Sequence, residues 1–378
     1  MKYCVILGTR PEIIKMAPVI RAIESRAEPL LFIHTGQHYS PALDAAVFAD
    51  FELREPDINL GVGKEGGTLT QQLSRMLASL DEILGQQKHD CVLVQGDTTT
   101  VLAGALAASN RGIPLGHVEA GIRSYDLEMP EERYRQMTDR VATYLFAPTP
   151  IARENLLSEG IQDERVYVVG NTCVDATLQN VKIARRLSRA LDALTSVGVN
   201  TERYLLLTMH RAENVDYRER FAPVLEQIAA MATTLNYDVV FPIHPRTKSK
   251  IQEFGLDYLI ASLGDYRIHA IDPAGPLDML QLIANAQTVL TDSGGIQEEA
   301  CILQVPCITL RTTTERPESL AVGANILVGD ALRKLSSYPD LLCQYVAQSV
   351  SKKRDWTNPF GDGTAAQQIV DICYRQCM

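Results

Sequence analysis

The chain has 378 residues, enough for about two domains of ~150–200 residues each. Apolar residues make up 46% and charged residues 22%, which fits a soluble globular protein with a real core, and no stretch approaches the ~18 apolar residues of a membrane span. The net charge of −10 argues against a general binder of nucleic acid or anionic membrane, so an anionic ligand must be held by local positive groups.

The first residues, MKYCVILGTRPE, lack the small-residue cleavage site of a signal peptide and read as a core strand running into a helix. Short apolar runs then alternate with helix-period stretches, the pattern of parallel α/β layers. In the first half the strand candidates are Tyr3–Leu7, Leu30–His34, Cys91–Gln95, Pro114–Val118, Tyr144–Ala147 and Val166–Val169. In the second they are Tyr204–Met209, Asp238–Ile243, Arg267–Ile271, Thr288–Thr291, Pro306–Leu310 and Asn325–Val328. Six and six fit two similar doubly wound halves better than one continuous sheet. Between Gly170 and Thr201 a helix-like stretch and the polar SVGVNTE segment replace any strand, which places the boundary there. The expected division is 1–172 for the first lobe and 173–362 for the second, with a tail helix in 363–378 crossing back to the first lobe. The eight cysteines form no CxxC pair, and Cys4, Cys91, Cys301 and Cys307 sit in apolar runs. They read as small buried hydrophobes in a reducing compartment, which points to a cytoplasmic protein.

Several loops after these strands carry chemistry. TDSGGIQEEA (291–300) follows the run QTVLT, and a helix is expected to open at Ile296. Ser293, Gly294 and Gly295 permit a tight turn, free N–H groups and close backbone approach, a seat suited to a diphosphate. Glu299, one turn on, is placed to accept from ribose hydroxyls. The bland alternative is a strand–turn–helix with a serine cap. GTRPE (8–12) is not the GxGxxG fingerprint, so no dinucleotide cofactor is indicated. Arg10 and Lys15 there are placed to meet phosphate, or are simply solvated. TMHRAEN (208–214) and FPIHPR (241–246) each end an apolar run in a histidine with an arginine close behind, at His210 and His244. The seven histidines show no HxH or HExxH spacing, so a metal is not favoured. TTTERPE (312–318) adds Glu315 and Arg316, or else a turn capped by Thr314. TGQH (35–38) follows another strand end.

Three carboxylates cluster at strand ends of the first half. Asp97 follows Cys91–Gln95, Glu119 follows Pro114–Val118, and Glu131 lies a short loop later in MPEE. Each has an ordinary explanation: Asp97 as a helix N-cap, Glu119 as a partner of Arg123, Glu131 as first-turn dipole compensation. Together at the crevice end of a parallel sheet they suggest proton transfer, because clustered carboxylates raise one another's pKa.

Read in order from residue 8 to residue 318, GTRPE, TGQH, QGDTTT, HVEAGIRS, MPEE, GNTCVDA, TMHRAENVD, FPIHPRT, TDSGGIQEEA and TTERPE resemble the nonhydrolysing UDP-N-acetylglucosamine 2-epimerases. The resemblance covers nearly the whole chain. It implies a GT-B architecture of two Rossmann-like doubly wound lobes with an interlobe cleft, and a homodimer. It also implies C2 epimerisation of UDP-GlcNAc to UDP-ManNAc through a 2-acetamidoglucal, with no cofactor. Matched motif by motif, Asp97, Glu119, Glu131 and His210 take catalytic roles. Arg10, Lys15, Arg135, Ser293, Gly294, Gly295, Glu299 and Arg316 take UDP-sugar contacts. Gln37, His38, Arg211 and His244 fall near an activating second UDP-GlcNAc site. The family usually reads EE-x-N-R where this chain has Glu131-Glu132-Arg133-Tyr134-Arg135. Competing readings are a 2-epimerase of a related sugar such as UDP-2,3-diacetamido-2,3-dideoxyglucuronic acid, a hydrolysing epimerase releasing UDP and ManNAc, a GT-B glycosyltransferase, and a non-catalytic UDP-sugar sensor.

Overall fold

Five consecutive buried residues, Tyr3–Leu7, form β1, an interior strand of the first sheet of a computed structural model that describes residues 1–37, 47–260, 267–331 and 340–377. The other strands of this sheet are β2 (Leu30–His34), β3 (Ile58–Asn59), β4 (Cys91–Gln95), β5 (Leu115–Val118), β6 (Tyr144–Ala147) and β7 (Val166–Val168). Their order is β3-β2-β1-β4-β5-β6-β7, and every pairing is parallel. A second sheet holds β8 (Tyr204–Thr208), β9 (Asp238–Pro242), β10 (Ile268–Ile271), β11 (Thr288–Thr291), β12 (Cys307–Thr309) and β13 (Asn325–Leu327). Its order, β10-β9-β8-β11-β12-β13, repeats the first, again all parallel. Strands such as YCVIL, CVLVQ and YLLLT are buried throughout because helices cover both faces, so they are runs of apolar residues rather than alternations. The chain is therefore α/β, with two doubly wound sheets of a GT-B-like kind.

The first sheet has seven strands, not six. The additional strand, β3, is only two residues long and lies at the edge, too short to show as an apolar run. Tyr3–Leu7, Leu30–His34, Cys91–Gln95, Tyr144–Ala147 and Thr288–Thr291 form strands with the expected bounds, and the other expected strands shorten by a residue or two at their ends.

By internal contacts the chain divides into two units, Met1–Gln179 with Phe360–Met378, and Asn180–Pro359. In the first unit the helix Ala365–Cys377 is tied to the sheet's N-terminal side. Tyr3 donates from its hydroxyl to the Val370 carbonyl at 3.3 Å, Arg26 pairs with Asp371, and Ile369 and Val370 are fully buried. Cys4, Cys91, Cys301 and Cys307 are free thiols inside the cores. No helix among the described residues is long and apolar enough to cross a membrane.

In each sheet the strand order reverses at its middle, between β1 and β4 and between β8 and β11. Loops leaving the carboxyl ends of those strands diverge, and that divergence is where open parallel sheets bind ligands. GTRPE and QGDTTT leave β1 and β4, while TMHRAEN and TDSGG leave β8 and β11.

Candidate functional site

In the first unit the loop after β1 leads into the helix Arg10–Ser25. Pro11 sits in its first turn, where no N–H is needed. Glu12, 2% exposed, turns back under this loop and accepts from the backbone N–H of Gly8 at 2.6 Å and of Thr9 at 2.9 Å. It also accepts from the Thr98 hydroxyl on the loop after β4, so one carboxyl braces both loops at the switch point. Burial pushes its pKa up to about 7 against the pull of those hydrogen bonds. Gly8 is required here: a Cβ would collide with the Thr35 and Thr100 hydroxyls.

Beyond this brace the predicted carboxylates meet their cations. Lys15 places its ammonium 2.7 and 2.8 Å from the two carboxylate oxygens of Glu119, and Gln95 donates its amide to the same group. Asp97 pairs with Arg135, whose other terminal nitrogen lies 3.2 Å from Glu132. Burial raises the Asp97 pKa, opposed by the charge of Arg135 and assisted by that of Glu119. Glu119 itself has φ +70°, a left-handed conformation that is costly for a residue with a Cβ and that collects at functional sites.

Two simpler explanations of these acids fail. The helix Thr99–Asn110 is capped by Thr98, whose hydroxyl accepts from the Val101 N–H, not by Asp97. Arg123 does not pair with Glu119. It is bound to Asp139 at 2.7 Å and to Glu159 at 2.7 and 2.8 Å. Lys15 takes its place from 104 residues away. Lys15 and Arg135, matched as substrate contacts, thus lie on the carboxylates themselves.

Glu131 stands exposed in the first turn of the helix Pro130–Val141. Its neighbour Glu132 points inward, fully buried, and accepts from the backbone and hydroxyl of Ser124, both at 2.9 Å, and from Gln136 at 2.9 Å. Burial acts to raise the Glu132 pKa, but these donors and Arg135 hold it below the usual carboxylate range. Arg10 is exposed at the start of its helix. Gln37 accepts from the Thr100 N–H at 3.0 Å and hydroxyl at 2.8 Å, which adds a second cap to that helix. His38 lies outside the described residues.

In the second unit the helix after β11 spans Gly294–Ile302, opening two residues earlier than expected, with Ser293 as its cap residue. Gly294 and Gly295 lie in the first turn, whose N–H groups have no intrahelical acceptor. A Cβ on Gly295 would meet no atom within 4 Å, and one on Gly294 only the Glu315 carboxylate at 3.5 Å. Neither glycine has positive φ. Neither packing nor backbone geometry therefore demands them, whereas close approach of a ligand would. Glu299, further along, is half-buried, and desolvation followed by the charge of Glu298 raises its pKa to about 7. Arg316 contacts Glu298 at 3.0 Å and heads the helix Pro317–Ala321, with Thr314 accepting from its N–H.

The expected histidine, His210, is exposed at the end of the loop after β8. Asp292, completely buried, accepts from the backbone N–H of His210 at 3.0 Å and of Arg211 at 2.9 Å, and from the Asn214 amide at 3.1 Å. The His210 Nδ1 lies 3.2 Å from its other oxygen. Burial acts to raise the Asp292 pKa, but His210 and these donors hold it below the usual range. His244 lies with its ring centre 6.3 Å from that of His210 and caps the helix Pro245–Glu253 by accepting from the Arg246 N–H.

Glu12, Glu132 and Asp292 are absent from the sequence candidates. A signal existed for Glu12, since Thr9-x-x-Glu12 has capping-box spacing. Asp292 lies inside TDSGG, and its type and position there carry no sign that it faces inward to the loop after β8. Among the described residues no group of three or more His, Cys, Asp or Glu side chains is arranged to hold a metal ion.

Residues 21–374 match the family model described as UDP-N-acetylglucosamine 2-epimerase. The chain is 50% identical over 372 residues to the UDP-N-acetylglucosamine 2-epimerase of Methanocaldococcus jannaschii, covering 98% of each chain. It is 48% identical over 375 residues to that of Methanococcus maripaludis, covering 99% of each. A crystal structure of the M. jannaschii enzyme in complex with UDP-GlcNAc and UDP aligns over 99% of this chain and all of that one, at 50% identity and a TM-score of 0.79.

Proposed function

This chain belongs to the UDP-N-acetylglucosamine 2-epimerase family, and on that premise we propose that it inverts C2 of UDP-GlcNAc by elimination and re-addition of UDP. The enzyme is an isomerase of a nucleotide sugar. The C2 hydrogen is too weakly acidic for direct removal. As the C1–O bond to UDP breaks, positive charge develops at C1 and the C2 proton becomes removable. Its loss forms the C1=C2 double bond of 2-acetamidoglucal and frees UDP. A proton delivered to the other face of C2, with return of the UDP oxygen to C1, gives UDP-ManNAc.

One observation carries this reading: Asp97 and Glu119 stand together at the carboxyl end of the first sheet, with Asp97 desolvated and its pKa raised. A carboxylate whose pKa is raised by burial is a stronger base than an exposed one, which suits proton transfer. Glu131 and His210 complete the catalytic set. Lys15 and Arg135 hold the two carboxylates and face the sugar. In the second unit the Gly294–Gly295 helix start and Arg316 stabilise the departing diphosphate and Glu299 contacts the nucleotide, and Arg10 of the first unit is a further UDP-sugar contact. Gln37, His38, Arg211 and His244 form an activating site in this reading, although Gln37 and His244 also serve as helix caps. We assign the enzyme to the cytoplasm as a homodimer, which suits its buried free thiols. Light scattering on the purified protein tests the dimer.

Incubation with UDP-GlcNAc in deuterated water, followed by NMR at C2, tests the chemistry. Deuterium should enter C2 as UDP-ManNAc appears. If neither occurs, substrate and mechanism both fall. Stoichiometric free UDP would identify a hydrolysing epimerase instead.

A further inference from the structure

Between the two carboxylate-bearing loops of the first unit lies a polar network that the mechanism has not used. His117, in β5, is wholly buried, as is Asp139 in the helix Pro130–Val141. The His117 Nε2 lies 2.8 Å from the Gly96 carbonyl, and its Nδ1 lies 2.7 Å from one Asp139 oxygen. A carbonyl can only accept, so Nε2 carries a hydrogen and donates it. The other Asp139 oxygen accepts from the Gly121 N–H at 3.3 Å and from Arg123 at 2.7 Å. Burial acts to raise the Asp139 pKa, but His117 and Arg123 hold it down.

The positions of these bonds matter. Gly96 immediately precedes Asp97, and Gly121 follows Glu119 by two residues. Both glycines have positive φ, +86° and +81°. The Gly96 N–H already donates to Val118 in β5 at 3.1 Å, so His117 secures the other side of the same residue. Glu119 is held between the Phe146 carbonyl, which accepts from the N–H groups of residues 119 and 120 at 3.1 Å, and the Gly121–Asp139 bond. One imidazole thus joins, through a single carboxylate, the two turns on which Asp97 and Glu119 are mounted.

We propose that His117, through Asp139, is a positioning residue that sets the placement of Asp97 relative to Glu119 for proton transfer at C2. This rests on the reading that those carboxylates handle the proton. A shift of about 1 Å in such a pair lowers turnover by roughly 10²-fold while leaving ligand binding to other groups.

Two near-isosteric variants of the full chain separate the two bonds. The amide nitrogen of His117→Gln reaches toward the Nε2 position and can keep Gly96. The amide of His117→Asn reaches the Nδ1 position and can keep Asp139. Each should lower kcat and C2 deuterium exchange about tenfold or more, because either tie alone leaves one turn loose. KM and UDP affinity should stay near wild type. Unchanged kcat in a folded variant, or a fall in activity that only tracks the folded fraction, would overturn the proposal. Failure of both variants to fold would overturn it too, since His117 would then serve the fold. Asp97→Asn is the control for the underlying reading: if it keeps C2 exchange, that reading fails whatever His117 does. If it loses exchange while the His117 variants keep it, only the positioning role fails.

Discussion

At the carboxyl end of the first sheet, two carboxylates stand against an ammonium and a guanidinium, on turns that hold three residues at positive φ: Gly96, Glu119 and Gly121. At the same end of the second sheet, the one carboxylate on the switch-point loop, Asp292, is fully buried and satisfied by neighbouring N–H groups. What this end offers a ligand is backbone N–H, space above two glycines and the exposed His210. The strand order is the same in both sheets. The difference shows that the scaffold supplies only a place for loops to diverge, and that loop chemistry decides whether carboxylates or backbone N–H groups are presented there.

Asp97→Asn attacks this contrast most directly. It should lower C2 exchange by about 10²–10⁴-fold, the range of a lost general acid or base, and leave UDP binding largely intact. It should also make the protein slightly more stable. The folded-state pKa of Asp97 is raised, so its ionised form costs stability above that pKa. The gain from asparagine should therefore be full near neutral pH and vanish below the unfolded carboxyl pKa of about 3.9. Thermal melts across pH, beside the exchange assay, check both halves. Undiminished exchange would remove Asp97 from the catalytic set.

Asp292→Asn should behave in the opposite way. Its carboxylate is satisfied and its pKa lowered, so replacement leaves buried donors short of an acceptor. A stability loss of about 1–3 kcal/mol in denaturant melts is expected. The linkage sign also reverses: the stability owed to this carboxylate is present above its unfolded pKa and is lost as pH falls through the depressed folded value. A variant as stable as wild type would show that the bonds from His210, Arg211 and Asn214 to Asp292 do not hold this loop.

Gly295→Val tests the anion seat. The added side chain meets no protein atom at its Cβ, so the melting temperature should hardly move. UDP affinity, measured by calorimetry, should fall about tenfold or more, equivalent to roughly 1.4 kcal/mol per decade. Unaltered affinity would return the glycines to an ordinary strand–turn–helix.

Much of this contrast was legible in the chain before folding. Buried parallel strands such as YCVIL and CVLVQ announce themselves as apolar runs, and the loops after them are then located almost to the residue. The partners were not legible. Arg123, four residues from Glu119, looks like its mate, but Gly121 at φ +81° turns the chain so that Arg123 reaches Asp139 and Glu159 instead. Lys15 arrives from another helix, and only the folded sheet brings it near. Asp97 and Thr98 are both good cap residues by type, and the backbone after Gly96 gives the cap to Thr98. Sequence marks where polar groups leave the core, while long-range packing chooses which of them meet.

Arg135→Gln gives the smallest and most specific effect, because it alters one charge beside Asp97. Burial is the chief cause of the raised Asp97 pKa, and Arg135 works against it. If ionised Asp97 takes the C2 proton, kcat/KM falls as pH drops through that pKa. Removing the guanidinium removes the influence that lowers the pKa, so the acidic limb of the profile should move to higher pH, by about 1 unit. Arg135→Lys keeps the charge and should leave the limb closer to wild type. Glu132, the other partner of Arg135, retains Ser124 and Gln136, so the start of the helix Pro130–Val141 stays in place. A limb that stays put in Arg135→Gln, or moves to lower pH, would mean that the group titrating in kcat/KM is not Asp97, and the proton-handling role would pass to Glu119 or Glu131.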